Sequence, residues 1–498
     1  MGAPAAITVH PVAVPAPRVG RRRTLRALPL AGGLLVGLAI ASQNPWLLVA
    51  GLLTMVLVAL ARPDGAVVLF AAALYLNLPV LVSQHFGVPT TVTGAFALVL
   101  LLPFVGYVVI GRAPLVLTPA LGLMIAWLCV LVLSAIFAGG PPSALQAITT
   151  FLTEGLLLYV LVTNVVRTPR TLQAVFWALV LAGAAMGLGS LYQEATHSYD
   201  QTLWGFAQVE AVGFKVGNAA TGQELRPRLA GPIGEKNTYA RILIVLLPLV
   251  VALWRLHRDV LARVVAAGCG TLILAGITLT FSRGGAVAVA LVLVAAVALK
   301  ALRLRHVLLL GVALVAVAFA AAPQYVQRIS TLGAVDTATA QGTTADQALV
   351  GRATENLAAF HVFIDHPVLG VGPQQFFERY SQQYGNLLDL RFLKTNRRAH
   401  NLYLEIAADT GIVGLSIFLA IVGTTMVQLW RLARFWTLRR RPDLVALAQA
   451  LLLALIAYLA TGLFLQLNFE RYFWLLVALG NAGAWTLRRM AKQSQPAT

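Results

Sequence analysis

The chain has 498 residues, 59% of them hydrophobic and 11% charged, and its mean hydropathy is +0.81. A soluble domain carries charge on about a quarter of its residues, so a soluble globular fold is excluded and a polytopic membrane protein is expected. The formal charge of +19 would suggest a nucleic-acid partner in a soluble protein, but here the basic residues gather in the connections of one side, and no nucleic acid is implied.

In chain order, residues 1–27 form a basic cytoplasmic tail, read as disordered and rich in Ala, Pro and Val over its first part. Candidate spans of about 17 to 25 residues then begin near Leu28, Trp46, Ala66, Val92, Ala120, Leu145 and Leu172 within 28–192. More begin near Tyr239, Ala262, Ala286 and Val307 within 237–322, and near Ile412, Leu444 and Arg471 within 402–490, before a cytoplasmic tail at 491–498. The expected fold class is all-α: a polytopic integral membrane protein with about 12–14 transmembrane helices and a large helical extracytoplasmic loop. The run 28–41 ends in Ala39-Ile40-Ala41, as a cleavable signal segment would. A second span after only Asn44-Pro45 favours its retention. Cys129 and Cys269 each sit inside an apolar run, which argues against a disulfide framework and a thiolate metal site.

With the amino terminus cytoplasmic, the inward connections hold Arg21, Arg22, Arg23, Arg62, Arg112, Arg167, Arg255, Lys300, Arg434, Arg440 and Arg488, among others. This is the asymmetry that sets orientation, and it puts both termini inside. Two outward connections are long, 193–236 and 323–401, and loops beyond about 15 residues are usually functional or disordered. In the second, Leu357, Phe360 and Ile364 recur at helical spacing and predict a helix over 352–365, ended by Pro367. A short helix is expected over 374–384, where Phe376, Phe377, Tyr380 and Tyr384 make an aromatic face. That face suits the lipid interface or, alternatively, sugar rings.

Ionisable residues at membrane depth are expensive and mark function by default. Arg241 lies just inside a span, and Arg283 sits at an outer end in Ser282-Arg283-Gly284-Gly285. Each reads alone as an interfacial arginine snorkelling to headgroups. Their occurrence together, beside a glycine pair that permits close backbone approach, favours an anion site. A guanidinium offers a planar fork of donors matched to phosphate oxygens, so a lipid diphosphate is the expected ligand, with Lys236, Asn237 and Tyr239 as supplementary candidates.

Among the histidines, His85, His197, His257 and His306 lie at span ends or in simple loops, His361 lies on the predicted helix, and His366 shapes the turn before Pro367. His400 differs, since it directly precedes a span beside Arg397, Arg398 and Asn401. A neutral imidazole there can take a proton from a hydroxyl. Glu405 and Asp409, one helical turn apart, either orient His400 or cap the following span, capping being favoured.

The order Gly351-Arg352, His366-Pro367, Gly370-Val371-Gly372-Pro373 with Phe376, then His400-Asn401-Leu402-Tyr403-Leu404-Glu405 and Gly411-Ile412-Val413-Gly414 resembles the signature of the bacterial O-antigen ligase and O-antigen polymerase superfamily. Ser282-Arg283-Gly284-Gly285 and the stretch 231–241 also resemble its motifs, and the likeness spans about residues 220–430. The resemblance implies a metal-independent, lipid-carrier-dependent glycosyltransferase of the bacterial inner membrane. It would need no cofactor and would work on the periplasmic face, with an undecaprenyl-diphosphate-linked oligosaccharide as donor. It makes His400 the catalytic base and Arg283 and Arg352 the diphosphate ligands, with Arg241 as a third and with Arg398 and Asn401 also counted among the substrate-binding residues. Partners implied are a glycan or lipid A-core acceptor, the lipid bilayer and other polysaccharide assembly proteins. The additional spans and longer outer loop lean toward a polymerase of surface polysaccharide; the alternatives are a ligase that transfers glycan to lipid A-core, and a transporter or flippase of lipid-linked sugars.

Overall fold

The computed structural model describes residues 37–40, 42–61, 63–88, 95–210, 214–216, 224–305, 307–308, 344–388, 393, 395–467 and 470–493. The expected spans beginning near Leu28 and Val307, the basic tail and the first part of the second long loop lie outside the described residues, wholly or in large part. The other expected spans are helical. Seven helices among the described residues are long and apolar enough to cross a bilayer, and an eighth span arises if the bent pair Asp64–Tyr75 and Leu78–Phe86 is counted as one. The chain is an all-α, multi-pass membrane protein.

Local chemistry sets the helix starts. Thr118 and Thr168 stand before Pro119 and Pro169, and each threonine side chain accepts a backbone N–H from the first turn. Proline fits there because its missing N–H would be unpaired in any case. Asp259 caps Val260–Leu279 in the same way. At 19 residues, Pro119–Phe137 is about 28 Å long, close to the hydrocarbon thickness of about 30 Å. Pro442–Gly462 is the hub, with 89% of its apolar window buried, and it packs against Leu402–Leu438, Leu247–Leu256, Arg283–Ala298 and Glu470–Gln493. Aromatic rings fill the centre: Phe473 lies 5.3 Å from Phe418, 5.0 Å from Tyr458 and 4.8 Å from Trp474.

Leu402–Leu438 has 37 residues, about 55 Å of helix, too long for a single crossing. It begins earlier than the span expected near Ile412, and it is broken at Gly411, where φ is 66° and ψ is −168°. Its segment before Gly411 therefore stands outside the crossing stretch and joins the second long loop at His400.

Both long loops fold at this end of the bundle, where Arg228 of the first comes near Arg352 of the second. The first adds the only strands among the described residues, two antiparallel ribbons pairing Gln208–Val209 with Leu229–Gly231 and Phe214–Val216 with Glu224–Arg226. The second supplies a cap helix, Thr344–Asp365, with Phe376–Tyr380 and Ser381–Leu387 behind it. The expected cap helix is present, with Leu357, Phe360 and Ile364 pointing outward at 43%, 45% and 52% exposure and Glu355, Ala358, Ala359 and Val362 forming its buried face. One expectation is corrected here. Phe376 and Tyr384 do not face lipid or sugar; they close a small separate core with Ala358, Val362, Leu393 and Ala399. Enclosure in that core pushes the Tyr384 hydroxyl up to about 12, helped by its hydrogen bond to Asp365.

Candidate active site

The glycine-rich motifs form a joint. Past Pro367, the chain runs alongside the break at Gly411 and supplies the hydrogen bonds that the helix loses there. The Val371 and Gly372 N–H groups donate to the carbonyls of Ala408 and Asp409, at 3.0 and 2.9 Å, and the Ile412 N–H donates to Pro367 O at 2.8 Å. The Asp409 carboxylate accepts from the backbone N–H of Gln374 and Phe376, both at 2.9 Å, and Ser134 donates to the carbonyls of Leu369 and Asp409. Buried backbone groups must be paired, and here two distant stretches pair each other. A side chain at Gly370 would overlap the Ala408–Asp409 backbone, and one at Gly411 would overlap the Val368 carbonyl, so neither position has room for a Cβ.

That joint holds the start of the long helix. Asn401 caps it, its Oδ1 accepting from the Tyr403 and Leu404 N–H groups at 2.9 and 3.1 Å. His400 precedes the cap, and its Nδ1 lies 2.6 Å from Glu355 Oε2 on the cap helix. A carboxylate only accepts, so Nδ1 carries the proton and Nε2 is left as the acceptor. The His400 side chain is 28% exposed and that of Glu355 only 3%. Arg397 approaches the other Glu355 oxygen at 3.6 Å. Arg398 pairs with Glu405 at 2.9 Å and lies over the Phe377 ring at 4.8 Å. Glu405 and Asp409 thus serve Arg398 and the joint respectively, and His400 is oriented by a residue that sequence reading missed.

One turn before Glu355, Arg352 enters a crevice that it lines with Asn237, Ser282, Gly284, Gly285 and Thr461. Ser282 caps the helix Arg283–Ala298 and donates to Asn237 Oδ1 at 2.9 Å, which joins the starts of two helices. Arg283 is the first residue of that helix. Burial lowers the Arg352 guanidinium from its ordinary value, against the pull of Glu355, Glu235 and Glu210. Arg228, from the first long loop, is lowered by burial, against the pull of Glu210, and further by repulsion from Arg283 and Arg352. Arg228 therefore lies close enough to Arg283 and Arg352 for mutual repulsion, with the carboxylates of Glu210, Glu235 and Glu355 opposing.

The supplementary candidates and the expected third arginine, Arg241, separate. Lys236 pairs with Glu210 at 2.6 Å, and Asn237 lines the crevice. Tyr239 is fully buried, hydrogen-bonded to Ser190. Arg241 is 1% exposed and locks two helices together: its Nε donates to Thr461 Oγ1 and its Nη1 to Tyr458 Oη and Gln466 O, with the guanidinium 4.7 Å over the Tyr458 ring. Among the described residues, no group of three His, Cys, Asp or Glu side chains could hold a metal ion.

The fold and the site together define a multi-pass membrane protein with a basic crevice beside a carboxylate-held histidine on one face. Residues 268–419 match the family model described as O-antigen ligase. This stretch contains Arg283, Arg352, Glu355, His400 and the whole joint, and the match supports a relation to the O-antigen ligase and O-antigen polymerase superfamily and a function in membrane glycan transfer. No curated protein matches the chain.

Proposed function

We propose that the chain polymerises glycan repeats carried on undecaprenyl diphosphate, at the periplasmic face of the bacterial inner membrane, during synthesis of a surface polysaccharide. The observation that supports this most is that one helix carries both Arg352 and Glu355, so a single rigid element adjoins both the arginine crevice and the histidine.

In this reading the diphosphate of the donor occupies the field of Arg228, Arg283 and Arg352, and the acceptor hydroxyl meets His400 Nε2. His400 takes the hydroxyl proton as the oxygen attacks the anomeric carbon. The bond from that carbon to the diphosphate oxygen breaks, and the lipid diphosphate leaves with the electron pair. The arginines stabilise the departing charge, which is the larger share of such catalysis, and Glu355 stabilises the imidazolium that forms. Holding both substrates in line lowers the entropic barrier. No metal or cofactor enters the scheme. Arg398 and Asn401 act here by positioning the turn around His400, through Glu405 and through the helix cap.

The test incubates purified protein with a defined undecaprenyl-diphosphate oligosaccharide, with and without lipid A-core. A ladder of longer lipid-linked glycans without lipid A-core supports the polymerase. Transfer that requires lipid A-core assigns a ligase instead. Absence of both products, where a working family member gives one, removes the transferase reading.

A further inference from the structure

We propose that the protein carries a second anion site, for the headgroup of an acidic phospholipid, at the end of the helical bundle opposite the glycan-transfer site. A cavity of about 610 Å³ opens there, lined by Arg255, Lys300, Trp430, Arg434, Arg440 and Arg441 among others. Its position follows from chain direction. The helices Lys236–Leu256, Arg283–Ala298 and Leu402–Leu438 all start beside the outer crevice or His400, and the cavity is lined by residues at or beyond their far ends, while Pro442–Gly462 starts at the cavity and reaches the crevice at Thr461. This end carries the basic connections that mark the cytoplasmic side.

The cations fall into two groups. Arg255 and Arg441 are already committed: Arg255 Nη1 donates to Gln449 Oε1 at 2.8 Å, and Arg441 forks onto Asp443 at 3.0 and 2.8 Å. Gln449, 7% exposed, is itself fixed by donating to the Leu299 carbonyl at 2.8 Å, so the deep wall is rigid. Lys300, Arg434 and Arg440 have no acidic partner among the described residues, and Arg434 lies over the Trp430 ring at 4.9 Å. The volume is that of a typical small-molecule site, and three unneutralised cations around it call for an anion.

A lipid fits better than free phosphate because the remaining wall is apolar, with Ala298, Leu438, Val445 and Leu452 beside the cations. Leu438 is 84% exposed and Trp430 41%, and tryptophan favours the headgroup level. Basic pockets between helices on the cytoplasmic side suit acidic headgroups.

Native mass spectrometry of the detergent-purified protein with equal amounts of phosphatidylglycerol and phosphatidylcholine tests this. The acidic lipid should be retained about tenfold better. The combined variant Lys300→Ala/Arg434→Ala/Arg440→Ala should lose that preference, while Lys300→Arg/Arg434→Lys/Arg440→Lys should keep it. Equal retention of the two lipids by the unaltered protein, or an undiminished preference in the alanine variant, overturns the proposal. So does a parallel incubation in which inorganic phosphate displaces the acidic lipid completely at equal concentration, which would make the cavity a site for the free anion.

Discussion

His400 Nδ1 and Glu355 Oε2 stand 2.6 Å apart across 45 residues of sequence, with the carboxylate almost wholly buried. The pair sets the tautomer and supports the positive charge that His400 gains when it takes a proton. Glu355→Gln keeps the shape and removes the charge, so it should lower kcat by roughly 10- to 100-fold while the KM for donor changes little. His400→Ala should abolish transfer with donor binding retained. Initial rates across donor concentrations check both, and an unchanged kcat for Glu355→Gln would reduce that residue to packing.

Arg228 comes near Arg283 and Arg352 from the first long loop. A charge-assisted hydrogen bond contributes about 1.5–3 kcal/mol, so Arg228→Ala and Arg283→Ala should each weaken binding of undecaprenyl diphosphate by about tenfold or more. Calorimetric titration in detergent measures this. If Arg228→Ala binds as tightly as the parent, the anion site is built without the first loop.

Arg241 gives the opposite expectation. Its Nε and Nη1 are engaged by Thr461, Tyr458 and Gln466, while Nη2 is buried without a partner among the described residues, so Arg241→Ala should lower stability by about 1–3 kcal/mol and weaken diphosphate binding less than Arg283→Ala does. Thermal unfolding and the same titration separate the two. A large binding defect at unchanged stability would return Arg241 to the diphosphate site.

The Gly411 break has no room for a side chain. Gly411→Ala should cost about 1–3 kcal/mol from backbone conformation alone, with steric overlap adding to it. Gly423→Ala, twelve residues on in the same helix with open space at its Cβ, should be neutral or mildly stabilising. Thermal shift of the two variants makes the comparison, and equal behaviour would contradict the joint.

Span positions are legible in the sequence because long apolar runs and Thr-Pro starts are local signals. His400 is legible for a similar reason: a histidine flanked by two arginines and an Asn cap stands out in an apolar chain. Glu355 is not, because its partner lies on another element; its only local mark is the three-residue spacing from Arg352. Arg228 carries no mark beyond standing in Arg226-Pro227-Arg228. The stripe Leu357, Phe360, Ile364 identifies a helix but says nothing of its buried face, which the small residues Ala358 and Ala359 help to form. Phe376 and Tyr384 mislead, since a loop this large needs a core of its own.

The splice at Gly411 also bears on the order in which the protein is made. Residues 367–372, which hold the broken helix together, leave the ribosome before residues 408–413, which they complete. Chains fold in the order in which they emerge, so the template precedes the helix that needs it. Moving the cap segment behind the last span by circular permutation would reverse that order, exposing the unpaired Ala408 carbonyl during insertion.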